Sequence, residues 1–215
     1  MSLSSPASRA RRPRAATATR QEEILKAAMQ VFGSKGYRQG SLAEVAELSG
    51  MTHAGVLHHF GSKDQLLTEV LKFRDRVDVQ HLQGQHIPDG IDLFRHLVKT
   101  AALNAQRRGI VQAYAVLAGE AVTDDHPASD FVTQRFAGLR SDIANALRVV
   151  MDERGVTDGP DPELVAGAII GVMDGVQTQW LLDPDEVDLV EATTFAIEAI
   201  LASALAGADR RRPLD

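Results

Sequence analysis

The sequence has no cysteine, few aromatic residues and no long apolar run. Without cysteine, neither a disulfide nor a thiolate zinc site can form, and the chain fits a reducing compartment. A membrane-spanning helix needs about 20 consecutive apolar residues, so no membrane span or membrane partner is predicted. The charged N-terminal segment lacks an apolar core and does not fit a secretory signal. The expected compartment is therefore the cytoplasm.

Enzyme motifs are also missing. The chain has no Gly-x-Ser-x-Gly, no glycine-rich phosphate loop and no His-Glu-x-x-His. Glu120, Asp124 and Asp125 cluster near one predicted loop, where solvation explains them. His58 and His59 are adjacent, and adjacent helical residues point about 100° apart, so they cannot chelate one ion. We therefore expect no catalysis, no metal site and no cofactor.

Charge is distributed unevenly along the chain. The net charge is −6. Residues 1–63 nevertheless contain nine Lys and Arg against four Asp and Glu, a balance of +5, whereas the remainder contains 14 against 25, a balance of −11. A basic N-terminal third on an acidic body suits a molecule whose one end faces phosphates.

Residues 41–63 predict two short helices joined by a tight turn. Ser41 and Glu44 have the spacing of a capping box at the first helix. Gly50 can adopt the positive φ that the turn requires, and Thr52 can cap the second helix. This spacing is typical of a helix-turn-helix, whose second helix enters the major groove of DNA.

The flanking residues predict the other elements of the N-terminal domain. Residues 1–17 lack periodicity and are predicted to be a disordered basic arm. Its arginines either follow DNA or serve only as a solvated tail: Arg9, Arg11, Arg12 and Arg14. Thr19 and Glu22 predict the start of a first helix that ends near Gly36. A long helix from Ser62 to about Gln83 then links this domain to the rest.

The remainder of the chain predicts helices and no strands. A turn-rich break at 84–90 separates the linker helix from five further helices, at about 89–108, 109–122, 127–154, 161–182 and 183–206. The expected fold is thus all-α with about nine helices. Its expected parts are the arm, a DNA-binding domain at 18–63, a C-terminal domain with the linker helix at 64–208, and a tail at 209–215.

The run from Thr19 to Asp75 resembles the DNA-binding domain of the TetR (tetracycline-repressor) family. The matching segments are ILKAAMQVFGSKGY, SLAEVAELSG, MTHAGVLHHF and SKDQLLTEVL, of which the element from His59 to Leu66 is the most specific. The chain departs from the family at His58, where a tyrosine is common. Ser41 also replaces the commoner threonine but keeps the hydroxyl.

The resemblance implies DNA-contacting residues. Base edges are assigned to Thr52, His53 and Gly55, and bases or phosphate to His58. Phosphates are assigned to four residues: Tyr37, Arg38, Ser41 and Lys63. Two of these have alternatives, since the ring of Tyr37 can pack in the core and Lys63 can be an ordinary surface lysine. Lys63 lies in a first helical turn, where the helix dipole disfavours a cation unless an anion is close.

The resemblance also implies a small-molecule pocket in the C-terminal domain. The candidate lining residues are large apolar and polar groups of helices 89–154: Phe94, His96, Tyr114, Leu117, Phe131 and Phe136. An ordinary helical core would use the same residues, and the sequence does not separate the two interpretations.

Small residues recur along the penultimate helix. Gly167, Gly171 and Gly175 are four apart, and each glycine costs about 1 kcal/mol relative to alanine in a helix. Close approach of another helix would offset that cost. The resemblance implies a dimeric four-helix bundle at these glycines together with Trp180, Ile197 and Leu201. An internal core remains the alternative, and the pattern favours the dimer.

The combined prediction is a ligand-responsive transcriptional regulator, a repressor in its expected mode of action. A homodimer would bind a palindromic double-stranded operator, and a small-molecule effector would release it. The alternative is a helical small-molecule-binding or protein-interaction module without specific operator binding.

Overall fold

The computed structural model describes residues 11–79 and 87–207, and the side chains of 17–77 and 87–207. Across these ranges the protein contains only helices: α1 Arg11–Gln39, α2 Leu42–Leu48, α3 His53–Phe60, α4 Lys63–Val79, α5 Gly90–Ala105, α6 Arg108–Glu120, α7 Ser129–Glu153, α8 Pro162–Leu182 and α9 Leu189–Leu205. The predicted all-α class is confirmed. None of the described helices is both long and apolar enough to cross a membrane.

The first helix begins earlier than predicted. Its backbone is helical from Arg11, so the predicted disorder is wrong for residues 11–17, and Thr19 is not its N-cap. Alanine and arginine favour helix, and Pro13 falls in the first turn, where proline is tolerated. Residues 1–10, with Arg9, and the side chains of the other arm arginines lie outside the described part. The chain leaves helical geometry at Gly36, where φ is 74° and ψ is 171°.

The two short helices have the predicted caps. The Ser41 hydroxyl accepts the Glu44 N–H at 3.2 Å, and the Glu44 carboxylate accepts the Ser41 N–H at 3.0 Å. The Thr52 hydroxyl accepts the Gly55 N–H at 3.0 Å. These local bonds set where α2 and α3 begin. Fully buried apolar residues then hold the head, defined here as α1–α4, around one core: Ile24, Phe32, Val45, Val56, Leu66 and Leu67.

The head packs directly on α6 of the body, which we define as α5–α9. At Gly33 a Cβ atom would lie 2.9 Å from the Cα and Cβ of Ala113, so only glycine allows this approach without a shift. Gln112 Nε2 also donates to the Gly33 carbonyl at 3.2 Å. The head core accordingly continues into Leu117 and Ala121. The first helix and α6 therefore form one packed unit.

The other body helices enclose a second core. It is formed by buried side chains of α5, α7, α8 and α9, among them Leu93, Leu147, Ile169 and Ile197. The last helix starts later than the predicted residue 183. Its N-cap is Asp188, whose carboxylate accepts the N–H groups of Val190 at 2.8 Å and Glu191 at 2.9 Å. Two backbone bonds at Asp188 therefore fix a later start than residue 183, although the following Pro184 also suits the first turn of a helix.

Candidate functional site: an exposed helix, a buried cavity and an open helical face

Helix α3 presents a polar face at the surface. Thr52, His53 and His58 are exposed, while Val56 and Phe60 anchor the opposite face in the head core. The Thr52 hydroxyl accepts one N–H as the helix cap, which leaves its O–H to donate to a ligand and a second lone pair to accept from one. The predicted base-reading residues thus lie along one accessible helix.

Tyr37 and Lys63 are in contact beside this helix. The Lys63 ammonium lies 4.4 Å from the centroid of the Tyr37 ring and 3.4 Å from the Arg38 carbonyl oxygen. The Tyr37 hydroxyl donates to Asp64, and burial together with that bond raises the pKa of Tyr37. The structure therefore brings three of the four predicted phosphate ligands together. It also supplies partners within the chain for the cation in the first turn of α4.

The fourth predicted phosphate ligand, Ser41, is engaged in its capping box. The Glu44 carboxylate that completes this box also pairs with Lys35. The hydrogen bond from Lys35, followed by those from Ser41, lowers the pKa of Glu44 to about 2. A phosphate contact from Ser41 would have to share its hydroxyl with this network.

A cavity of about 310 Å³ lies in the body, next to the C-terminal half of α4. Its volume is at the lower end of the roughly 300–1,000 Å³ that small-molecule sites occupy. Its apolar wall comes from α5, α7 and α8: Leu93, Leu97, Leu139, Ile143, Ile170 and Met173. Its polar wall consists of Arg74, Asp75, His96, Thr100, Asn104, Tyr114, Arg135, Asp142, Asp174 and Gln177.

Two of the six predicted pocket residues, His96 and Tyr114, line this cavity. The other four were assigned to the wrong part of the body. Phe94 is buried in the second core, and Leu117 is fully buried in the core shared with the head. Phe131 and Phe136 pack against that same shared core. Large apolar side chains fill the cores, whereas polar and mid-sized aliphatic side chains line the cavity.

An ion cluster forms one end of the cavity. Asp75 Oδ1 accepts from Arg74 Nη1 at 3.1 Å and from Arg135 Nε at 2.9 Å. The two guanidinium groups lie 4.3 Å and 4.8 Å from the centroid of the Tyr114 ring. Burial raises the pKa of the Tyr114 hydroxyl. Asp75 therefore offsets part of the buried positive charge, and Tyr114 is held by both cations.

Asp174 faces the same cavity without an ion-pair partner in the described part of the chain. Burial raises its pKa, and the nearby Arg135 and Arg74 oppose that shift. Sequence reasoning missed this residue. The available signal was a single acid inside the apolar run of residues 165–176. Thr100 Oγ1 is also buried, without a hydrogen-bond partner among the described residues.

The glycine face of α8 is open. A Cβ atom at Gly167, Gly171 or Gly175 would meet no atom of the described chain within 4 Å. An internal helix therefore does not account for these glycines. Exposed apolar side chains lie on α8 and on the next helix, α9. On α8, Leu164 is 69 % and Leu182 is 82 % exposed, and on α9 Phe195 is 74 % exposed.

The other predicted dimer residues point the opposite way. Trp180, Ile197 and Leu201 are 7 %, 2 % and 9 % exposed and pack in the chain's own cores. Their assignment to the dimer surface is corrected, because α8 and α9 each have one apolar face inward and another outward. A hydrophobic stripe in the sequence does not distinguish these two faces.

Comparison with known proteins assigns the family. Residues 24–70 match the family described as "Bacterial regulatory proteins, tetR family". Residues 92–206, more than half of the chain, match "BetI-type transcriptional repressor, C-terminal". The chain belongs to the TetR family. It is a ligand-responsive, DNA-binding transcriptional regulator, with the helix-turn-helix and helical body of that family.

Individual TetR-family relatives are similar over most of their length. The transcriptional regulator TtgR of Pseudomonas putida is 28 % identical over 182 residues, covering 78 % of this chain and 83 % of its own. The repressor BepR of Brucella suis is 25 % identical, covering 93 % and 98 %.

Solved structures share the fold. The complex of SmeT with triclosan aligns with a TM-score of 0.73 at 19 % identity, over 92 % of this chain and 99 % of that one. SmeT is the repressor of the Stenotrophomonas maltophilia multidrug efflux pump SmeDEF. Homodimers acting on palindromic operators are typical of the TetR family, which consists of regulators rather than enzymes.

Proposed function

We propose that this TetR-family regulator is a repressor that binds a palindromic operator as a homodimer and releases it when an organic molecule occupies the body cavity. One observation carries the proposal. Helix α4 has Lys63 at its N-terminal end, at the proposed DNA-binding surface, and Arg74 and Asp75 further along, at the cavity. Eleven residues separate Lys63 from Arg74, which corresponds to about 17 Å of rigid helix. A change at the cavity can therefore tilt the surface that faces DNA.

The DNA surface in this proposal combines α3 with the Tyr37–Lys63 pair. The exposed N-terminal part of α3, with Thr52, His53 and Gly55, enters the major groove and contacts base edges. Lys63, Tyr37 and Arg38 hold the phosphate backbone beside it, which fixes orientation without reading sequence. His58 is exposed on the same helix and contacts either bases or phosphate.

The homodimer in this proposal forms on the outward faces of α8 and α9. Two copies pack their glycines against one another at Gly171 and Gly175 and cover Leu182 and Phe195. The chain itself leaves this apolar face unpaired, and an interface between helices is its simplest cover. A two-fold dimer places two α3 helices for half-sites about one DNA turn apart, roughly 34 Å.

The effector in this proposal is a mostly apolar molecule with one hydrogen-bond-donating or cationic group. Most of the exposed cavity surface is apolar although ten polar residues line it, and Asp174 offers an acceptor that no cation of the described chain pairs with. Arg74 and Arg135 are already bonded to Asp75 and stacked on Tyr114. The SmeT–triclosan complex supports a small organic ligand for a protein of this fold.

The test is an operator search followed by a release assay. Mobility shift with DNA from upstream of the protein's own gene should give a sequence-preferring complex that weakens steeply with salt. Small molecules that raise the melting temperature should dissociate that complex. Asp174→Ala should abolish the response to an amine effector while leaving the unliganded complex intact. A protein that binds such molecules but no promoter DNA would favour the alternative of a small-molecule-binding module.

A further inference from the structure

Glu120, the last residue of α6, reaches from the body into the head. Its carboxylate Oε2 accepts the backbone N–H of Tyr37 at 2.6 Å, across 83 positions of sequence. A hydrogen bond to an ionised acceptor is about twice as strong as a neutral one. Tyr37 follows the break in α1. The N–H groups at the start of a helical segment have no partner within it, so the Tyr37 N–H is free to bond the Glu120 carboxylate.

Gly36 makes room for this carboxylate. Its φ of 74° is a conformation that residues with a Cβ rarely adopt. A Cβ atom at this position would overlap Oε1 of Glu120. The glycine is therefore needed twice, for the break in the helix and for the close approach of Glu120.

His126 closes the site from the loop after α6. Its side chain is 1 % exposed, and its Nε2 lies 3.8 Å from Glu120 Oε2. The Nδ1 atom accepts the Ala128 N–H at 3.3 Å, which assigns the proton of the neutral ring to Nε2, facing the carboxylate. The ring also packs edge-on against Tyr37 with centroids 5.3 Å apart. His126 thus covers one side of the Glu120–Tyr37 bond, while the Glu120 side chain stays 30 % exposed.

The contact continues to the DNA face. The Tyr37 ring carries the Lys63 ammonium on its face, and its hydroxyl donates to Asp64 in the first turn of α4. At the other end, α6 also holds Tyr114 in the cavity wall. Tyr114 and Glu120 are six residues apart, about 9 Å along one helix.

We propose that Glu120 is a positioning residue that couples the body to the DNA-binding surface. Its bond to the Tyr37 amide holds Tyr37, and through the ring Lys63, where phosphates can reach them. A displacement of α6 at the cavity withdraws the carboxylate and frees both residues. The proposal rests on the proposed function in taking Tyr37 and Lys63 as phosphate ligands and the cavity as the effector site.

The direction in which one substitution changes operator affinity tests the coupling. Glu120→Ala removes a negative charge from a protein that binds a polyanion, so electrostatics alone predicts tighter operator binding. Loss of the positioning bond predicts the opposite. We expect affinity to fall about tenfold, the scale of one hydrogen bond to a charged group. The slope of log K against log salt should also become shallower by about 0.9, equivalent to one lost phosphate contact.

Matched variants separate charge from contact. Glu120→Gln keeps a neutral acceptor at the same reach, so it retains about half of the bond strength and should lose no more than about threefold in affinity. Glu120→Asp keeps the charge but is one methylene too short, and should bind as weakly as Glu120→Ala. Asp124→Asn removes one charge from an exposed side chain of the neighbouring loop and should bind equally or more tightly. Light scattering and thermal melts check that each variant is folded and dimeric.

Two results would overturn the coupling while leaving the regulator intact. One is parental or tighter binding by Glu120→Ala; the other is parental binding by Glu120→Asp. If Glu120→Ala does not fold, the comparison of Glu120→Gln with Glu120→Asp still decides, since equal affinities contradict the proposal. Failure of the parent to bind any operator refutes the proposed function instead, so the two failures are distinguishable.

Discussion

Phe195 provides the sharpest test of the dimer, because it is large, apolar and 74 % exposed within one chain. A buried phenylalanine of ordinary size contributes about 200 Å², so roughly 150 Å² of Phe195 remains for a partner to cover. At about 25 cal/mol per Å², this corresponds to nearly 4 kcal/mol per chain. A two-fold interface contains the residue twice, which gives about 7 kcal/mol as an upper bound.

In the dimer, Phe195→Asp replaces this buried apolar area with two negative charges, one from each chain. Ordering and desolvation costs offset part of an energy calculated from buried area. We therefore expect the substitution to weaken the free energy of dimerisation by about half of this upper bound. At 1.4 kcal/mol per decade, that raises the dissociation constant of the dimer by two to three decades. Sedimentation or light scattering over a dilution series should show monomers where the parent is dimeric.

Val122 supplies the matched control. It is 86 % exposed in the turn after α6, away from α8 and α9, so Val122→Asp adds the same charge to an equally exposed apolar site. It should leave the dissociation constant unchanged. The proposed interface is refuted if Phe195→Asp stays dimeric across the dilution series, or if both variants dissociate equally.

Three further predictions follow from the head, the cavity and the loop. Lys63→Ala should weaken binding to all DNA sequences and lower the salt slope by about one contact, whereas His53→Ala should change the preferred sequence in a selection experiment. Asp174→Asn should raise the melting temperature at pH 7, by about 2–4 °C for each kcal/mol gained, since burial disfavours the ionised carboxyl. That gain should shrink as the pH falls through the raised pKa of the folded state and disappear below pH 3.8, where the carboxyl is protonated in both states. Burial lowers the pKa of His126 below 6.5 despite Glu120, so acidification below pH 6.5 protonates the unfolded chain first. Calorimetry should show the free energy of unfolding falling in that range, and less so in His126→Gln; an identical pH dependence in both proteins would contradict the assignment.

Local chemistry made the helix-turn-helix predictable. The caps at Ser41 and Thr52 are hydrogen bonds between residues three apart, so a short stretch of sequence contains both the donor and the acceptor. The caps at Asp89 of α5 and Asp161 of α8 are even more local, since their carboxylates accept the N–H groups of Gly90 and Glu163, one and two residues on. Where two local signals competed, prediction failed: Asp188 begins α9 although Pro184 also suits a helix start.

Hydrophobic pattern predicted that α8 and α9 carry apolar stripes, but not which stripe faces which neighbour. Trp180 and Ile197 are as apolar as Leu182 and Phe195, yet the first pair is buried in the chain and the second pair is exposed. Only the packing of α8 against α7 and α9 decides between them. The cavity lining was ambiguous in the same way. Phe94 and Leu117 are buried in the two cores, and their positions in the sequence pattern do not distinguish a core residue from one that lines a ligand site.

The sequence by itself determined the elements whose causes are local: nearly all the helices, the caps of α2 and α3, the basic head and the family. Tertiary structure alone decided the contacts between distant residues. The Glu120 bond to Tyr37 joins residues 83 apart, and the ion cluster gathers Arg74, Asp75 and Arg135 from α4 and α7. Such contacts depend on how whole helices pack. A short-range pattern contains caps and periodicity, but it contains no record of which helix faces lie against each other.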